Sequence, residues 1–165
     1  AQAAAFSAAN EATPGSRPQT RQRPRVEAAF LGRTAALWAA IVHDDAQQAL
    51  PFFFPESAYQ QAKDIVDPSA DWNHRLLAAY ARDIHGLHAR LGKDATRAQF
   101  VELSVPQERV RWVEPGEEYN KIGYYRVFGS RLRYRDAEGA EHTFEIKSLI
   151  SWRGEWYVVH LSAIK

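Results

Sequence analysis

The sequence predicts an α+β fold in which N-terminal helices pack on a curved, mostly antiparallel sheet. Two observations carry this. Between Val26 and Leu91 apolar residues recur at three- and four-residue steps, the signature of amphipathic helices. After Gly92 the period shifts towards two, and short turn-forming segments separate runs rich in β-branched and aromatic residues, the signature of hairpins. The chain has 165 residues, a length that fits one domain of about 100–200 residues with a self-supporting core.

Residues 1–25 read as a flexible tail or linker, and 26–165 as the folded domain. The tail holds Thr13-Pro14-Gly15-Ser16-Arg17-Pro18 and Arg21-Gln22-Arg23-Pro24-Arg25, with many breakers and little to bury. Phe30, Thr34, Leu37, Trp38 and Ile41 then form one helical stripe. Asp44 or Asp45 caps a short helix from Ala46 to Leu50. Pro51 and Pro55 bracket Phe52-Phe53-Phe54, three rings that cannot all face water cheaply and so plug one end of the core. A short helix follows from Glu56 to about Ile65. Asp67-Pro68-Ser69 opens a long helix from about Ala70 to Leu91, stopped at Gly92. Its stripe is Leu76, Leu77, Tyr80, Ile84, Leu87 and Leu91, with Asn73 one turn earlier.

Strands are expected at Phe100–Val105, Arg109–Val113, Ile122–Arg135 (bent at Gly129), Glu141–Trp152 and Glu155–Ile164. Arg153-Gly154 is a two-residue hairpin turn. It pairs Ile150 with Tyr157, Ser148 with Val159 and Ile146 with Leu161. The three-residue loop Ala137-Glu138-Gly139 pairs Leu132 with Phe144, Ser130 with Ile146 and Phe128 with Ser148. Strict alternation then gives the sheet two faces. The helix-facing one carries Tyr124, Arg126, Phe128, Leu132, Tyr134, Phe144, Ile146, Ile150, Trp152, Tyr157, Val159 and Leu161. The outer one carries the charged residues, His160, and an apolar patch of Leu149, Trp156 and Val158 that offers itself to a homodimer.

This order of elements, over about residues 26–165, resembles the NTF2-like (cystatin-like, SnoaL-like) superfamily. The segments Trp112-Val113-Glu114-Pro115-Gly116, Asn120-Lys121-Ile122-Gly123-Tyr124-Tyr125 and Ser148 to Leu161 also resemble those of secreted actinobacterial proteins. The superfamily likeness implies a sheet curled into a cone whose mouth holds a small molecule. In its enzymes, such as ketosteroid isomerase, aspartate, tyrosine or histidine projects into the cone. No motif of those enzymes aligns here residue by residue, so no catalytic residue carries over.

Composition narrows the function classes. The net charge is +1, so no global field draws the chain to nucleic acid, and none is expected as a partner. The absence of cysteine excludes disulfides, thiolate metal sites and a thiol nucleophile. No run of about 20 apolar residues is present, so no membrane span is expected. Ala1-Gln2-Ala3-Ala4-Ala5 fits the neighbourhood of a signal-peptidase site, with trimming of a longer chain as the alternative, and an extracytoplasmic location is expected.

The polar clusters read first as structure. His43-Asp44-Asp45 is helix-end chemistry before it is a general base or half a metal site. His85 and His88, with Asp83, lie off the core stripe. Glu114 to Asn120 lacks the alternating spacing of a calcium loop. No metal site and no cofactor are expected. The candidate ligand-binding set is the polar and aromatic group facing inward: Trp38, Trp72, Asn73, Tyr80, Arg126, Ser148 and Tyr157. A buried guanidinium requires an anion, so Arg126 is expected either to pair with Asp83 or Glu102 or to anchor an acidic ligand. The leading expectation is a non-enzymatic extracytoplasmic binding or assembly domain holding a small apolar or acidic ligand. The alternative is an isomerase or dehydratase of the ketosteroid-isomerase kind.

Overall fold

The structure, a computed structural model, describes residues 15–162. Helix α1 (Ala28–His43) buries Phe30, Thr34, Leu37, Ala40 and Ile41, the stripe expected from the sequence, with Trp38 half-buried at its flank. Asp44 ends it in the left-handed region, at φ 52°. Asp45 then accepts the N–H of Gln47 and caps a 3₁₀ helix, Ala46–Phe52. Helix α2 (Glu56–Ala62) follows. The long helix starts as α3 (Pro68–Asp71), with Asp67 accepting from the N–H of Ala70. It widens into a π-helical turn, Trp72–Leu77, and continues as α4 (Ala78–Leu91), which buries Tyr80, Ile84 and Leu87. All three rings of Phe52-Phe53-Phe54 are fully buried.

The sheet curls into a half-barrel of five strands: β1 (Gln99–Ser104), β2 (Arg111–Val113), β3 (Tyr124–Arg135), β4 (Glu141–Trp152) and β5 (Glu155–His160). The order is β1-β3-β4-β5, and β2 also pairs with β3. Every pair is antiparallel. β3 thus serves two partners in succession, β2 along Tyr124–Arg126 and β1 along Arg131–Arg135. Between them Gly129 takes φ +79°, and a side chain there would collide with the Arg109 guanidinium. Glycine is what allows the bend.

The hairpin registers agree with the turn chemistry. Leu132 faces Phe144, Ser130 faces Ile146, Phe128 faces Ser148 and Arg126 faces Ile150. Ile150 faces Tyr157 across the Arg153-Gly154 turn, whose two residues both have positive φ, as a type I′ turn requires. Two expected pairs differ. Leu161 accepts from Lys147 N–H instead of lying opposite Ile146. Ser148 pairs with His160, not Val159, because the β4–β5 ladder slips between Ser148 and Leu149. One residue of β5 is extra there, a β-bulge, and His160 moves from the expected outer face to the face of Ser148.

The apolar outer patch is a second correction. Leu149, Trp156 and Val158 are fully buried, so no dimer surface can be built on them. Alternation treats the sheet as flat with one covered face. Here the 3₁₀ helix and α4 both pack against β5, and Phe53 lies parallel beside Val158. Only beyond Gly129 does the simple pattern hold: Ser130, Leu132, Tyr134, Phe144 and Ile146 are buried, while Arg131, Arg135, Thr143 and Glu145 are exposed.

The expected tail divides. Residues 1–14 lie outside the described residues. Residues 15–25 are not a free linker: they cross the sheet as a strap made of side-chain and backbone hydrogen bonds. Gln19 Nε2 donates to the carbonyls of Gly123 (3.3 Å) and Ser151 (3.0 Å), and its Oε1 accepts from the N–H of Arg153 (2.7 Å). Trp152 Nε1 donates to the Arg17 carbonyl (3.1 Å), Arg25 N–H donates to the Gly154 carbonyl, and the Arg21 guanidinium lies over Trp112. Composition missed this because each partner is a backbone group or a tryptophan far away in the chain.

Two stability outcomes follow. Gln19→Ala orphans three backbone groups near the sheet and should cost about 1–3 kcal/mol in urea denaturation; an unchanged midpoint would mean that the strap is dispensable. Ile84 is fully buried, so Ile84→Ala should cost about 2–5 kcal/mol by the same measurement.

Candidate functional site

Beside α2, the inner face of β3, β4 and β5 is left partly uncovered. A cleft of about 280 Å³ opens there, lined by Lys63, Glu118, Tyr124, Arg126, Phe128, Lys147, Ser148, Ile150, Val159 and His160. Local structure explains how distant residues meet. Lys63 is the residue at which α2 ends. Its backbone bridges to Asn120, with Asp64 N–H donating to Tyr119 and Lys121 N–H donating to Ala62. This strand-like contact holds the 114–121 loop over the cleft. Asn120, almost fully buried, keeps the loop in shape: its Nδ2 donates to the carbonyls of Glu114 and Ile122, and its Oδ1 accepts from Glu118 N–H.

The loop delivers Glu118. One carboxylate oxygen accepts from Tyr124 Oη (2.7 Å), and the other pairs with Arg126. Arg126 therefore has a protein carboxylate, but not one of the two expected. Asp83 instead accepts from the backbone of Ser162, and Glu102 pairs with Arg133. The cause is the irregular loop, whose path no periodicity reveals. The Arg126 guanidinium also lies 4.2 Å from the centroid of Phe128, a cation–π contact with a ring that is 48% exposed. Its Nε is buried with no hydrogen-bond partner among the described residues.

Lys63 reaches in from the opposite wall. Its Nζ donates to Tyr124 Oη (2.9 Å) and to the Glu118 carbonyl (3.1 Å). Burial, with the Arg75 guanidinium next in weight, pushes this amine down to about 8. Behind it Tyr59 donates to Asp71, and Asp71 takes two hydrogen bonds from Arg75. The Arg75 bonds hold the Asp71 carboxyl below its usual range. The π-helical turn starts one residue after Asp71 and contains Arg75; such turns accompany functional sites often. His160 is pushed down by burial and then by Lys147, Arg75 and Lys63. Burial likewise raises the Tyr124 phenol. The result is an excess of positive charge: Lys63, Arg75, Arg126 and Lys147 gather around two carboxylates that are already engaged.

Of the seven residues singled out in the sequence, Arg126 and Ser148 line this cleft. Trp72 and Tyr80 are fully buried, donating to the carbonyls of Phe54 and Ala49. Tyr157 packs edge-on against Phe54 beneath the Arg33 guanidinium. Asn73 donates to Glu56 and to the Ser69 carbonyl. Trp38 stacks with Phe100 and Tyr134 at the far end of the sheet. None of these five lines the cleft. Lys63, Glu118 and His160 were missed: a lysine after a short helix, a loop acid and a strand residue displaced by a bulge leave no pattern in sequence. The polar helix ends behave as read. Asp44 meets His85 at 2.8 Å, and His88 contacts the Ile41 carbonyl. Among the described residues no group of three or more His, Asp or Glu could hold a metal, and no helix is long and apolar enough to cross a membrane.

A larger hollow, about 450 Å³, lies at the other end of the sheet between the end of α4 and the β3–β4 hairpin tip. There Asp136 is occupied by His142 and by the N–H groups of Glu138 and Ala140, which leaves it little capacity for a ligand. No family model, no curated protein and no solved structure matches the chain. The site therefore rests on its own chemistry.

The depressed Lys63 amine has a sign-definite consequence. Between about 8 and its ordinary value of 10.5 the unfolded chain binds a proton that the folded chain lacks. Stability contributed by this group thus rises with pH across that window. The group is partly solvated, so the gain should be only about 1–2 kcal/mol. Denaturant titrations near pH 7.5 and pH 9.5 should show this rise in the native chain and lose it in Lys63→Met; parallel curves for the two proteins would contradict the assignment.

Proposed function

We propose that this chain is a binding domain of the NTF2-like kind that holds a small organic acid in the cleft beside α2, in an extracytoplasmic setting. The observation that carries the binding reading is the convergence of Lys63, Arg126, Lys147 and His160 on one cleft that also exposes an aromatic ring, with the Arg75 guanidinium close enough to act on Lys63. Lys63 and Arg126 repel one another, and each is desolvated at a cost. An anion entering the cleft offsets both penalties. Phe128 and Ile150 supply apolar contact for the rest of the ligand. The NTF2-like assignment draws support from the helix-then-sheet order and from a curled sheet left open beside a short helix. The extracytoplasmic setting draws support from the likeness of the three segments noted above to secreted proteins.

The isomerase or dehydratase alternative needs a titratable residue in the cleft free to take a proton, and His160 stands there beside Glu118. Glu118, the carboxylate lining the cleft, is instead engaged by a phenol and a guanidinium, and burial and the neighbouring cations disfavour the protonated form of His160, which supports binding over that chemistry.

Benzoate and uncharged benzamide separate charge from shape. Calorimetric titration near pH 7 should show benzoate binding and benzamide failing to bind. Affinity should fall as pH rises past about 8, because Lys63 then loses its charge. Lys63→Met should weaken benzoate roughly tenfold or more, the worth of one charge-assisted hydrogen bond. Equal binding of the two probes, or of neither, would remove the acid-binding reading and leave an assembly role.

A further inference from the structure

Lys63 does not behave as an anchored cation. Among the described residues it forms no ion pair, although Glu118 and Asp71 lie close by and both pair with arginine instead. Its nitrogen makes two hydrogen bonds, both as donor, to a phenol oxygen and a backbone carbonyl. An ammonium has three N–H donors, whereas a neutral amine has two and a lone pair. Two donations by a tetrahedral nitrogen that lines the cleft leave the lone pair of the neutral form free towards it. Arg75 and Arg126 stand near enough to disfavour a third positive charge, the arrangement that activates a lysine as a nucleophile. Tyr124, which accepts from Lys63 and donates to Glu118, links the amine to a carboxylate through which a proton can move.

We infer that Lys63 is a nucleophilic amine that forms an imine with a 2-oxo acid, whose carboxylate is held by the cationic residues of the same cleft. This rests on the acid-binding reading above and adds a covalent step to it. The Nζ lone pair attacks the carbonyl carbon, the carbonyl π electrons move to oxygen, and one of the two N–H protons passes to that oxygen to give the carbinolamine. The carbinolamine then loses its hydroxyl as water while nitrogen gives up a proton and the C=N bond forms. Amine and ketone thus yield imine and one water, with no oxidant or reductant. Ser148 and Arg126 border the space where the acid would sit. Tyr124 is a positioning residue, fixing the amine and relaying its proton.

The test is reductive trapping. The full chain is incubated with pyruvate near neutral pH, reduced with sodium cyanoborohydride, and read by intact mass and peptide mapping; benzoate binding is measured on the same samples. The expected result is one reduced pyruvate adduct on Lys63, formed at least about tenfold faster than on the exposed Lys93 and Lys121, which lie outside the cleft. Lys63→Arg should abolish the adduct, and Tyr124→Phe should slow it. Benzoate binding without a Lys63 adduct, or labelling spread evenly over the exposed lysines, overturns the inference and leaves the acid-binding reading standing. Loss of both overturns both. Should Lys63→Arg fail to fold, competition decides: benzoate must suppress labelling of Lys63 in the native chain, and labelling indifferent to benzoate counts against the inference.

Discussion

Three consecutive phenylalanines join the two layers of this protein, and the rest of the structure depends on their burial. Phe52 meets Phe30 of α1 edge-on. Phe53 stacks on Tyr80 and contacts Trp72 of the long helix. Phe54 sets its ring against Trp152 and Tyr157 of the sheet. The backbone takes part as well: Phe54 N–H donates to Val158 and the Phe54 carbonyl accepts from Trp72 Nε1. Rings of this size supply much of the apolar area that stabilises a core. The 3₁₀ helix ends at Phe52 and the chain becomes extended at Phe53, so that Phe53 and Phe54 lie beside the free edge of β5 and block that edge to other chains.

That joint also places the cleft. Trp72 is drawn into the core by its contacts with Phe53 and Phe54, and it opens the π-helical turn. Asp71 and Arg75 flank that residue on the long helix and meet Tyr59 of α2. On the sheet side, the bulge beside Val158 brings His160 round to face Ser148. The polar residues of the cleft are therefore positioned by the apolar packing beneath them, and the positive charge they concentrate is balanced only in part by Glu118 and Asp71.

The electrostatics of the cleft differ from those of a solvated surface at Lys63, Glu118 and Arg126. On a surface, opposite charges pair weakly and water screens the remainder. Here Arg126 and Glu118 are mostly covered, with side chains 14% and 27% exposed, and the cations affect one another through burial. A lysine left without a carboxylate in such surroundings is a departure from ordinary pairing, and departures of this kind concentrate at functional sites.

The sequence by itself determined the α+β class, the order of the elements, the turn positions and the registers of β3 with β4. Those depend on local chemistry: the 3.6-residue and two-residue periods, glycine at Arg153-Gly154 and Gly129, and proline around the phenylalanine plug. It also pointed to Arg126 and Ser148 as polar residues on an apolar face, because alternation alone places them there. Tertiary structure decided the rest. Glu118 reaches Arg126 only because Asn120 shapes a loop and Lys63 pairs with it. His160 enters the cleft only through a one-residue bulge. Leu149, Trp156 and Val158 are buried only because helices pack against β5. Residues 15–25 become a strap only because distant carbonyls and a tryptophan receive them. Each of these rests on contacts between residues far apart in the chain, where period and propensity carry no information.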